Sequence, residues 1–83
     1  MRRGRVELSD AFSLVLQRYR EARNLSRTAL SVKAGLHQTY IGLVERGLRN
    51  PSLDAIDAMA DALGVRASKL ISESEAVRAT KAK

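Results

Sequence analysis

The chain reads as an all-α domain, and three observations carry that reading. Apolar residues recur at intervals of three and four, so that they line one face of a helix. Each such stretch is bounded by residues that cap or stop helices. No segment shows strand-like alternation of useful length, and there is no internal repeat.

Five helices follow in order. Phe12, Leu16 and Tyr19 share one face of a first helix over 10–23, with Ser9 as its expected cap. Asn24 ends it, because Asn tolerates the left-handed backbone of a helix exit. Ser26 is a good N-cap for a short second helix over 27–34, which Gly35 closes. His37 is expected to cap a third helix over 38–46, stopped by Gly47. The stretch 47–51 holds Gly47, Asn50 and Pro51 and reads as a loop. Ser52 then caps a fourth helix that turns Leu53, Ile56, Met59, Ala60 and Leu63 inward and ends at Gly64. A short fifth helix over 67–72 buries Leu70 and Ile71. Residues 73–83, rich in alanine and charge, either extend it or fray.

With 83 residues the chain is one domain: a basic arm over 1–8, a folded unit over 9–72 and a tail or helical extension over 73–83. No cysteine is present, so neither disulfides nor thiolate metal sites support the fold. A small hydrophobic core must suffice, and burial at a subunit interface would help it. No apolar run is long enough to cross a bilayer, and the basic start MRRGRVELS lacks the apolar stretch of a signal peptide. A cytoplasmic, nucleoid-associated protein is expected. The net charge of +6 suits a polyanionic partner but also describes many ordinary proteins. Arg2, Arg3 and Arg5 supply part of it from the N-terminal arm. That arm reaches into a neighbouring groove or is attracted without specificity.

The informative segment is RTALSVKAGLHQTYIGLVER, residues 27–46. Two short helices flank a tight turn, with Leu30, Ala34, Leu36, Ile41 and Val44 forming an inner face. Ala34 and Gly35 are small where two helices cross, and Gly35 supplies the positive φ of a sharp turn. The outer face of the third helix is left with Gln38, Thr39, Gly42, Leu43 and Arg46. These suit a major groove. Gln pairs with an adenine edge, Thr offers a hydroxyl and a methyl, and Leu meets a thymine methyl. Gly42 permits close approach, and Arg46 reaches guanine or phosphate.

With those residues in view, the chain resembles the lambda repressor and Cro-like helix-turn-helix family, also called the xenobiotic-response-element family, over about residues 12–71. The matching stretches are LS at 25–26, AG at 34–35, YIGLVERG at 40–47, RNPSL at 49–53 and ALGV at 62–65. Short controller regulators of restriction–modification systems are especially similar in GLHQTYIGLVERG. The resemblance implies five helices with the motif in the second and third. It also implies base-reading positions at Gln38, Thr39 and Leu43, with Gly42 and Arg46 nearby. Phosphate contacts are implied at Arg27, Arg49 and Asn50, with Arg20, His37 and Tyr40 in the same group. An ion pair between Arg20 and Glu45 is implied, tying the first helix to the third. Two departures stand out. Leu43 replaces a frequent polar or basic reader, and Ser31 replaces an alanine, leaving a hydroxyl in need of a partner.

His37 is the only histidine and has no second ligand beside it, so a cap or a phosphate-touching ring is the better reading. Asp54, Asp57 and Asp61 read as a solvated stripe. No catalytic constellation, cofactor site or metal site is legible, and the chain reads as no enzyme. One helix-turn-helix reads too few base pairs to find a genomic site. A homodimer on a palindrome of duplex DNA is therefore expected, built from Val65, Leu70, Ile71 and Val77, acting as a transcription regulator. RNA polymerase or another protein is an expected further partner. Two alternatives remain: an antitoxin that binds both DNA and a toxin, and an interaction module of this fold without DNA binding.

Overall fold

The computed structural model describes residues 7–81, which form five helices and no strand. They are α1 (Leu8–Ala22), α2 (Arg27–Ala34), α3 (Gln38–Glu45), α4 (Leu53–Leu63) and α5 (Ala67–Lys81). Arg2, Arg3 and Arg5 of the expected arm lie outside the described residues. The core is built around Phe12, Leu16, Leu30, Ile41, Val44, Met59 and Leu70. Helix α1 packs on α3 and α5, α2 on α3 and α4, and α4 on α5. The α2–α3 pair thus sits on a platform made by the other three helices.

Local chemistry explains most helix ends. Ser26 and Ser52 each accept a hydrogen bond from the amide three residues on, Ala29 N at 2.9 Å and Ala55 N at 3.0 Å. Gly35 and Gly64 close α2 and α4 at φ 70° and 75°. Asn24 stands at φ 57° just after α1, and Leu25 N returns to Arg20 O at 3.1 Å. That closes the helix end in the Schellman manner.

Several expectations are corrected. Helix α1 begins at Leu8, with Glu7 rather than Ser9 as the extended cap residue. Leu8 prolongs the Phe12 face and lines a groove with Phe12, Ile56 and Ile71. His37 has the extended backbone of a cap, but its side chain makes no capping bond. Leu53 is 83% exposed. At 3.6 residues per turn it lies about 90° from the centre of the buried stripe of α4. Ala34 and Leu36 are only half-buried, so the fully enclosed inner face is Leu30, Ile41 and Val44. Gly35 is needed for its backbone and not for its size, since a Cβ there would meet nothing within 4 Å.

Of the two readings of residues 73–83, extension is the one seen: α5 runs on from Ser72 to Lys81. No glycine or proline interrupts it, and it packs on α1. Ser74 is fully buried and donates its hydroxyl to Leu70 O at 2.7 Å. Leu70 has no exposed surface and belongs to the core, so it cannot serve as an interface residue of the folded monomer. Val65, Ile71 and Val77 remain half-buried at the core's edge.

Candidate nucleic-acid interface

The interface is organised by one carboxylate. Glu45, the last residue of α3, has no exposed side-chain surface and faces two guanidinium groups. Arg20 of α1 donates from Nε to Oε2 at 2.7 Å and from Nη2 to Oε1 at 3.0 Å. Its Nη1 donates to Leu25 O at 2.8 Å, so every nitrogen of Arg20 has a partner inside the protein. This bidentate geometry raises the Arg20 pKa through its hydrogen bonds to Glu45, against the opposing effect of burial. Arg27, the first residue of α2, donates from Nε to Glu45 Oε1 at 3.0 Å and stays 43% exposed. One buried acid therefore ties α1, α2 and α3 together, and it fixes the guanidinium of Arg27 at the protein's edge.

An open concavity of about 360 Å³ separates the first turns of α2 and α3. Arg27, Thr28, Gln38, Thr39, Gly42 and Arg46 line it. Of the expected base readers, four meet here: Gln38, Thr39, Gly42 and Arg46. Leu43 is half-buried and lies outside it. Gly42 forms part of the wall, and a Cβ there would meet nothing within 4 Å. The space beside Gly42 is thus open, and a side chain there would have room to project from α3. Thr28 was not singled out in the sequence, yet its hydroxyl donates to Gln38 Oε1. The hydroxyl of Ser31 finds its partner within α2, at Thr28 O, 2.7 Å away.

A second concavity, about 380 Å³, gathers Tyr40, Arg49 and Asn50 beside Leu36, Ser52, Asp54 and Ala55. Tyr40 joins the helix to the following loop, its hydroxyl accepting from Ser52 N at 3.1 Å. The Arg49 guanidinium lies 5.3 Å from the centre of the Tyr40 ring, a cation–π distance that holds it near the loop. His37 is exposed at the start of α3. The acidic stripe Asp54, Asp57 and Asp61 is exposed along α4.

Comparison with known proteins agrees with this geometry. The helix-turn-helix family model matches residues 16–70. The control protein C.BamHI of Bacillus amyloliquefaciens is 46% identical over 48 residues, which are 58% of this chain and 59% of that protein. The control protein C.SmaI of Serratia marcescens is 36% identical over 66 residues, 80% of this chain and 79% of that protein. The crystal structure of the restriction–modification controller protein C.AhdI from Aeromonas hydrophila superposes with a TM-score of 0.73 at 39% identity. That alignment covers 75% of this chain and 94% of the other. The chain belongs to the helix-turn-helix family of DNA-binding transcription regulators, which are not enzymes.

Proposed function

We propose that the protein binds operator DNA as a homodimer, with α3 of each copy in the major groove of one half of a palindrome. Gln38, Thr39, Gly42 and Arg46 face base edges, and Leu43 at most touches a thymine methyl. Arg27 and Arg49, with Asn50, Tyr40 and His37, meet the phosphate backbone. Arg20 acts chiefly through Glu45. The observation that carries this reading is the concavity in which a polar α3 face opens between two arginines, Arg27 and Arg46. A purely protein-binding domain would have no need of that pattern. The relatives that are control proteins support a regulator of the same kind. The dimer would use the edge formed by Val65, Ile71 and Val77. RNA polymerase or another protein would be met on surfaces away from α3, in the nucleoid-containing cytoplasm.

The test is selection from a random duplex pool by the purified protein at roughly physiological salt. The expected product is an inverted repeat with half-site centres about 34 Å, one helical turn, apart. Recovery of unenriched DNA would overturn the proposal.

A further inference from the structure

Asp54 differs from the two acids that follow it along α4. It lines the concavity of about 380 Å³ that holds Tyr40, Arg49 and Asn50, whereas Asp57 and Asp61 do not. Arg49 lies over the Tyr40 ring there, and the Tyr40 hydroxyl accepts from the amide of Ser52, the residue that caps α4. These groups offer a phosphate one cation and two further donors, the Asn50 amide and the Tyr40 hydroxyl. Asp54 sets a carboxylate among them. It is exposed, and among the described residues no ion pair joins it to Arg49 or to any other cation. In the first turn of α4 an acid favours the helix, because it meets the positive end of the helix dipole. A phosphate brought to the same place is repelled by that charge.

We infer that Asp54 is an affinity-setting residue, whose carboxylate opposes the phosphate received by Arg49, Asn50 and Tyr40 and so weakens binding to every DNA sequence. Two like charges about 5–10 Å apart across water repel enough to lower affinity roughly two- to fourfold for each copy bound. Salt narrows that difference by screening it. Asp61 stands two turns further along the same face of α4, about 10 Å from Asp54. It carries the same charge without sharing the concavity. The inference rests on the proposed reading that this concavity meets the phosphate backbone, and adds a residue that limits the contact.

The test measures the affinity of the full chain for its selected operator and for a random duplex, at about 50 and 300 mM salt. The unaltered protein is compared with Asp54→Asn, Asp61→Asn and Arg49→Ala, all well below their melting temperatures. Asp54→Asn keeps the shape and removes the charge. It is expected to tighten binding about two- to fourfold per copy on both duplexes at the lower salt, and less at the higher, with base preference unchanged. Asp61→Asn is expected to tighten it by less than about 1.5-fold per copy. A gain from Asp54→Asn no larger than that from Asp61→Asn overturns the inference, because net charge alone would then account for it. Weaker binding by Asp54→Asn also overturns it, since the carboxylate would then serve Arg49 or the helix and not oppose phosphate. If Arg49→Ala weakens binding while Asp54→Asn changes nothing, the phosphate reading stands and the inference alone falls. If Arg49→Ala leaves affinity unchanged, the phosphate reading of this concavity fails and the inference falls with it.

Discussion

Glu45 is a buried charge whose cost is offset only because two arginines converge on it. Removing it leaves Arg20, whose side chain is 11% exposed, without its acid. Breaking such a pair from one side costs about 3–5 kcal/mol. Glu45→Ala should therefore lower the urea midpoint and melting temperature well before it changes sequence preference. An unchanged melting temperature would show that the pair is ornamental. The exposed residues of the interface act in a different way. Gln38→Ala is expected to cost roughly 1–3 kcal/mol at one base pair per half-site and little on random DNA. Arg49→Ala should weaken binding to every sequence alike, because phosphates carry no sequence. Affinities on a panel of single-base operator variants separate the two patterns. Uniform weakening from Gln38→Ala would remove α3 from its reading role.

At the level of elements, legibility followed locality. Ser26, Gly35, Ser52 and Gly64 were readable because a cap or a left-handed exit is decided within a few residues. Gly35→Ala tests this. With nothing within 4 Å of the added Cβ, only backbone strain opposes it, so a loss of about 1–2 kcal/mol in chemical denaturation is expected. A much larger loss would mean a clash that the open space does not contain. The bonds from α2 to Gln38 and Glu45 were hidden, because nothing in the spacing of Thr28, Gln38, Arg27 and Glu45 announces contact between helices. Whether residues 73–83 extend α5 or fray stayed open for a similar reason. Its apolar residues are interleaved with charged ones, and the burial of Ser74 is a product of tertiary packing that its own polarity does not announce. Tyr19 of α1 donates to Glu73 Oε2 of α5 at 2.5 Å. This bond, then burial and the charge of Glu73, raises the Tyr19 pKa above its ordinary 10.0. The unfolded chain therefore loses this proton first as pH rises, so the contribution is complete below pH 10 and disappears as pH passes the folded value. Tyr19→Phe should flatten the fall in stability above pH 10, as measured by denaturation across that range. A fall of the same steepness would mean that other groups dominate it.

For the whole molecule, the deciding property is how many copies act together. The net charge of +6 attracts any DNA, so attraction alone does not tell a monomer from a dimer. The salt dependence does, because each phosphate neutralised contributes about −0.9 to the slope of log affinity against log salt concentration. Arg20 is excluded from that count by its internal partners, so among the described residues the proposed reading leaves Arg27 and Arg49 as the phosphate cations of each copy. A dimer that closes four such contacts should show a slope of about −3.6 on its selected operator, and a monomer about −1.8. Arg27→Ala removes one contact per copy and should bring the dimer's slope to about −1.8 as well. Its cost to stability should be smaller than that of Glu45→Ala, because Arg20 still holds both oxygens of Glu45. Sedimentation at tens of micromolar, with and without operator, supplies the independent count of copies. A monomer in both conditions, together with the shallower slope in the unaltered protein, would mean that the half-buried edge of Val65, Ile71 and Val77 joins no second copy.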